Sequence, residues 1–219
     1  MSEKHYFAVI GDIIGSRNVD DRADLQRQLD AGLAEVNRQF TDQIASKYLL
    51  TIGDEFQGLL RTSEDIDKIL ASLRAAVHPV DLRFGIGVGE LTTPLREQAI
   101  GMDGPCFQRA RAAIERAKER STQIEVESGD AHPGFEIYSL LYSGMRRSWT
   151  KRQRQIIDLS MSGKEGVDIA RLLEISPPAV SQHLRAAGVT YVRKATSIWL
   201  LTLVLIANTD TFGGEVTSA

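Results

Sequence analysis

Cysteine is all but missing from this chain. Cys106 stands alone among 219 residues, which excludes an internal disulfide, and no Cys/His cluster has zinc spacing, so any metal is expected to be hard and oxygen-bound. Also missing is the basic-then-apolar layout of a signal peptide in the opening residues, so the expected compartment is the cytoplasm. No apolar run reaches the roughly 20 residues that span a bilayer; the longest, within Tyr191 to Ala207, is about a dozen. No membrane span is therefore expected, and a buried or dimer-forming helix fits that segment. The tail 195–219 has two acids and no base. What is present is the balance of a globular protein, 42% hydrophobic and 25% charged, long enough for one ordinary domain and a small one. Its net charge of −3 hides an asymmetry: residues 1–145 carry −7 and residues 146–194 carry +6. A basic segment joined to an acidic one points to a polyanionic partner for the second half.

Two aspartates stand just past short apolar runs. Asp12 follows Tyr6-Phe7-Ala8-Val9-Ile10-Gly11, and Asp54 follows Tyr48-Leu49-Leu50-Thr51-Ile52-Gly53. Charge rarely interrupts a buried strand, whereas a carboxylate at a strand tip can leave the core and meet a hard cation. Two such carboxylates on neighbouring strands can hold Mg²⁺ or Mn²⁺ against a nucleotide triphosphate. The plain alternative is that each Gly-Asp is a turn.

The rest of the first half supplies the frame. Residues 6–14 read as a buried strand, and Leu25, Leu29, Leu33, Val36 and Phe40 recur on one helix face between 20 and 40. Strands at 47–53 and 55–60 make a hairpin with Asp54 at its tip, and a helix follows from Ser63 to Val77. Strand 81–88, helix 104–119 and strand 122–127 come next, with a further strand at 134–140 and a linker between Ser139 and Ser148. This β-α-β-β-α-β order predicts an α+β domain over 1–140: a largely antiparallel sheet with helices on one face, the ferredoxin-like arrangement. Gly85, Gly87 and Gly89 lie inside a strand and open no helix, so they are packing glycines, not a dinucleotide fingerprint.

These parts resemble the palm domain of class III nucleotide cyclases, with Asp12-Ile13-Ile14-Gly15 matching the first metal motif and Thr51-Ile52-Gly53-Asp54 the second. Gly53-Asp54-Glu55-Phe56 also resembles the hairpin of diguanylate cyclases. The set 11–17, 53–57 and 103–111 is most similar to the bacterial SatD family. The resemblance implies metal ligands at Asp12, Asp54 and the Ile13 carbonyl, and nucleotide contacts from Gly15, Ser16, Arg17, Gly53, Glu55, Gln108, Arg109 and Arg111. It also implies a dimer. The chain departs from the cyclase pattern where Leu50 replaces a base-reading lysine, Gln108 an asparagine and Ala112 a transition-state arginine. Arg109 or Arg111 is the available substitute, since a guanidinium suits phosphate wherever it can be aimed. Nucleotide binding is thus expected ahead of cyclisation.

The second half, 149–207, reads as an all-α helix-turn-helix domain. Thr150 and Gln153 form a capping box, Ile156, Ile157 and Leu159 continue that helix, and 167–173 and 177–185 are short helices broken at Glu174-Ile175-Ser176. Ala170 is small at the crossing, Val180 and Leu184 face back, Ser176 caps the second helix and Pro177 fits its first turn. The pattern resembles the tetrahelical DNA-binding domains of response regulators and sigma-factor region 4. DNA contacts are expected from Ser176, Ser181, Gln182 and Arg185, with Arg152, Arg171 and Lys194 on phosphates. His183 has no partner at ligand spacing and is read as a backbone or phosphate contact. Three functions compete: a regulator in which nucleotide occupancy reaches a DNA-binding head, a phosphoryl-transfer enzyme using both aspartates, and a DNA-binding dimer without ligand. The regulator, a homodimer with DNA and a nucleotide as partners, is the reading these residues favour.

Overall fold

The computed structural model describes residues 4–16 and 19–209. The elements run β1 (Tyr6–Ile14), α1 (Arg22–Gln39), β2 (Ile44–Leu50), β3 (Glu55–Leu60), α2 (Ile66–Ala76), β4 (Asp81–Gly89), α3 (Pro105–Arg120), β5 (Ile124–Glu127), α4 (Pro133–Ser148), α5 (Lys151–Met161), α6 (Gly166–Leu172), α7 (Pro177–Ala186) and α8 (Val189–Thr209). One five-stranded sheet has the order β2-β3-β1-β4-β5. β1 is antiparallel to both β3 and β4, β2 is antiparallel to β3, and only the β4–β5 pair is parallel.

β1 is central and covered on both faces, which is why its apolar residues do not alternate with polar ones. Phe7, Val9 and Ile13 enter one core with Leu25, Leu29 and Leu33 of α1 and Ile69, Leu70 and Leu73 of α2. Ala8 and Ile10 enter another with Cys106, Phe107, Ala110 and Ile114 of α3. Helices thus lie on both faces, where one face was expected. The β4 glycines permit this: a Cβ at Gly85 would strike the backbone of Ile114, and one at Gly87 the backbone of Cys106 and Ala110. α3 lies directly on the strand, as close as a backbone can come.

The segment expected as a strand at 134–140 and a linker to 148 is instead one helix, α4. Pro133 starts it in the first turn, where no amide hydrogen bond is lost. Its inward face is Phe135, Ser139, Tyr142, Ser143 and Arg146. α4 joins the two halves. Tyr138 stacks on Tyr142 and on Trp199 of α8, with ring centroids 5.6 and 5.1 Å apart, and Tyr142 meets Trp149 edge-on at 6.2 Å. The buried Arg74 of α2 lies over Phe84 and Tyr142 and donates to the Tyr142 hydroxyl at 3.0 Å. The main core accordingly runs without interruption from the sheet into Trp149, Ile157, Val192, Trp199 and Leu203.

Beyond α4, Thr150 and Gln153 close the capping box at the start of α5. Ser176 Oγ accepts from the Ala179 amide at 3.3 Å to begin α7. Val180, with Leu184 partly buried beside it, packs on Ile156, Ile169 and Ala170. α8 is longer than its apolar run suggested: Val189–Asn208 meets the length and composition of a membrane-crossing helix. Only one side is apolar against protein, where Trp199, Leu203 and Ile206 are buried.

Candidate functional site

The strand register brings acids and bases together at the tip of β1. Asp12 lies opposite Glu55 of β3 on one side and Arg83 of β4 on the other. Residues two apart share a face, so Asp12 points with Ala8 and Ile10 toward α3. α3 runs back along β4, and its C-terminal half therefore meets this tip. Arg111, Glu115 and Lys118, spaced four and three, form the helix stripe on that side.

Asp12 keeps only 14% of its side chain exposed; its Oδ1 is 3.6 Å from Arg83 Nη1 and its Oδ2 is 3.7 Å from Lys118 Nζ. Oδ1 is buried and has no hydrogen-bond partner. Burial pushes the Asp12 carboxyl above the usual carboxylate range, Arg83 and Lys118 pull it back in part, and the charges of Asp54 and Glu55 add to the rise. Glu55 is held by Arg111 in a two-bond fork at 2.5 and 2.6 Å.

Asp54 sits in the β2–β3 turn. Gly53, at φ 68°, takes the left-handed conformation the turn requires, and the Thr51 amide donates to the Glu55 carbonyl at 2.8 Å. Asp54 and Gly53 line a cleft of about 470 Å³ with Ile13, Ser16, Arg22 and Leu29. This cleft opens on the α1 side of the tip, whereas the Asp12 side chain faces α3. The two carboxylates are near enough for one to perturb the other, yet they approach the strand tips from different sides. Among the described residues no three His, Cys, Asp or Glu side chains form a ready-made metal cage.

Gly15, at φ 73°, turns the chain after β1, and Ser16 reaches the cleft. Arg17 lies outside the described residues. Arg111 is at the tip, but Arg109 and Gln108 are at the other end of α3, roughly two turns or more from Lys118. Arg109 Nη1 donates to the Val88 carbonyl at 2.6 Å, and Gln108 Nε2 donates to Asp103 at 3.3 Å. Arg83 and Lys118 were not anticipated. Lys118 was within reach of a helical reading, seven residues from Arg111 on one face; Arg83 needed the β1–β4 register.

A second charged cluster joins β4 to the helical half. Arg146, 2% exposed, grips Asp158 with two bonds of 2.8 Å and reaches Asp81 Oδ1 at 2.6 Å, while Arg154 holds Asp81 Oδ2 at 2.7 Å. Burial alone would raise the Asp81 carboxyl, but the Arg146 guanidinium overrides it and leaves it below the ordinary value.

On the outer side of α7, Ser181, Gln182 and Arg185 are exposed, as is Lys194 on α8. Among the described residues neither Arg185 nor Lys194 makes an ion pair. Arg171 is exposed and pairs locally with Asp168 at 3.0 Å. Arg152 turns inward to Gln155 and the Leu173 carbonyl, closing the end of α6.

A profile of the SatD family matches residues 6–201. The chain belongs to the SatD family. No curated protein matches this SatD chain significantly. Solved structures that match include a bacterial light-regulated adenylyl cyclase, 10% identical, covering 56% of this chain and 74% of that one with a TM-score of 0.42. A second structure of a bacterial light-regulated adenylyl cyclase is 11% identical over 56% of this chain and 42% of that one, also at 0.42.

Proposed function

We propose that this SatD protein binds a nucleotide together with Mg²⁺ or Mn²⁺ at the tips of β1 and the β2–β3 hairpin, and carries a DNA-contacting surface on α7 and α8. The observation that carries the first part is the buried Oδ1 of Asp12, which has an ion-pair neighbour at 3.6 Å but no hydrogen bond. A desolvated carboxylate with an idle lone pair is a costly arrangement unless something positive takes it up. Asp12 is a hard oxygen donor that suits such a cation, and Asp54 and the Ile13 carbonyl complete the set if the Asp54 side chain turns from the α1-side cleft toward the tip of β1. They are too few for a protein-only cage, and Mg²⁺ is typically held by one or two carboxylates, waters and the ligand's own phosphates. Arg83, Lys118 and Arg111, now turned to Asp12 and Glu55, are the groups available to those phosphates. The register of β1, with Asp12 beside Glu55 of β3 and Arg83 of β4, supports this reading.

The DNA surface rests on exposure and charge. Gln182 and Arg185 lie on the exposed face of a helix anchored from behind by Val180, and Gln and Arg can read adenine and guanine edges bidentately. Two experiments test the reading. Calorimetric titration with each nucleoside triphosphate is expected to give binding only when Mg²⁺ or Mn²⁺ is present, and binding equally tight without the metal overturns the metal site. Fluorescence anisotropy with selected DNA is expected to show salt-sensitive binding, and none at low salt removes the DNA role.

A further inference from the structure

α8 has two apolar seams side by side. Val192, Thr196, Trp199, Leu203 and Ile206, spaced 4-3-4-3, are buried against the chain's own helices. One position back, Tyr191, Ala195, Ile198, Thr202 and Leu205 repeat the same spacing and face outward, Tyr191 76%, Ile198 61% and Leu205 56% exposed. A 4-3 repeat is the spacing at which one helix packs along another. The outer seam is continued by α4, where Ile137, Leu140 and Leu141 are also more than half exposed. Between the two helices runs an apolar groove of about 340 Å³, floored by Tyr138, Tyr142 and Trp199.

We infer that this α4–α8 face is the contact between two copies of the chain, with the Ile198–Leu205 ridge of one copy seated in the groove of the other. Of the large apolar side chains exposed among the described residues, eight lie on these two helices. Four of them, Ile137, Leu141, Tyr191 and Ile198, line the groove itself, and a contiguous exposed apolar patch of this kind marks an interaction surface. The face carries no charge between Ile137 and Met145 or between Ala195 and Thr209. A polyanion or an acidic peptide therefore finds nothing to pair with, while an identical uncharged surface does. A twofold pairing sets like against like, as an isologous interface requires. Two hydroxyls of α8 are already satisfied within the helix, Ser197 Oγ donating to the Arg193 carbonyl and Thr202 Oγ1 to the Ile198 carbonyl, each at 2.9 Å, so neither is left without a partner on burial. A lipid surface suits the face less well: α8 has the length and composition to cross a membrane, but its Val192–Ile206 seam is already packed on protein, and beyond Arg193 and Lys194 it lacks the Lys and Arg that line the polar edge of an interfacial helix. Self-association does not depend on the nucleotide or DNA reading.

Light scattering on the full chain at micromolar concentration decides it, with Ile198→Glu on α8 and Leu141→Glu on α4 as variants. The parent is expected to have the mass of two chains, and each variant the mass of one with an unchanged far-ultraviolet helix signal. A parent of single-chain mass overturns the inference, as does a two-chain mass that survives both substitutions in folded protein. Should one variant lose its helix signal, the other and the parent still decide. Flotation with vesicles of neutral and of anionic phospholipid is the remaining arm: a single-chain parent that floats, with floating lost in the variants, assigns the face to lipid and overturns self-association.

Discussion

Asp12 is held in conflict: burial and two neighbouring acids oppose its charge, and Arg83 and Lys118 only partly compensate. Its folded pKa lies above the unfolded value, so the ionised form burdens the native state at neutral pH, and the burden lifts as pH falls through the raised pKa. Asp12→Asn is therefore expected to leave the melting temperature unchanged or higher while weakening metal-dependent nucleotide binding by more than about tenfold, or about 1.4 kcal/mol. Calorimetry and a thermal melt on the same sample check both; a large fall in stability would show that the carboxylate is structural. Asp54→Asn is expected to behave similarly in binding. The strand-tip positions of the two aspartates were legible because charge after an apolar run is rare, whereas Glu55 and Arg111 entered only through the family resemblance of 53–57 and 103–111. Arg83 was not, because nothing local in Asp81-Leu82-Arg83 says which strand it will lie against; only the β1–β4 register does. Arg109 lies away from the tip, on the Val88 carbonyl, for a similar reason: what a helix residue meets depends on where along the strand the helix crosses.

At the scale of elements, the clearest expectation concerns α3 on β4. Gly87→Ala adds a methyl group where the Cys106 and Ala110 backbone already sits, and a cost of about 1–3 kcal/mol is expected, measured by urea unfolding. α7 offers a different contrast. Arg185→Ala is expected to flatten DNA sequence preference, whereas Lys194→Ala should weaken all DNA alike and lower the salt slope by about one, read by anisotropy at several salt concentrations. Most elements were readable from periodicity and caps: β1 through its apolar run, the β2–β3 hairpin through Gly53-Asp54, α5 through Thr150 and Gln153, and α7 through Ser176-Pro177. α4 was not. Its inward face contains Ser139, Ser143 and Arg146, which an apolar pattern cannot detect, while Phe135, Ile137 and Tyr138 have the composition of a strand. Which face of the sheet α3 covers was equally silent in sequence, although the glycines of β4 were the trace of it.

For the whole molecule, the Asp81–Arg146–Asp158 cluster sets the response to acid. Asp81 has a folded pKa below its unfolded one, so its contribution is full above the ordinary carboxylate value and is lost as pH falls through the depressed one. Stability measured by denaturant unfolding is expected to drop across that acid range in the parent and to drop less in Asp81→Asn. Arg146→Ala leaves Asp158, 3% exposed, buried without its cation and is expected to cost about 3–5 kcal/mol. α4 occupies the place where a tether would be, with Tyr138, Tyr142 and Arg146 gripping α8, Trp149 and α5, so among the described residues the connection between the halves is packed helix and not a free linker. A protease that clips flexible connectors should find no early cut between 133 and 150, and amide exchange should be slow straight through that stretch. A message from the strand tips would travel as a small shift of packed helices, in the manner of a rigid lever and not of a hinged arm.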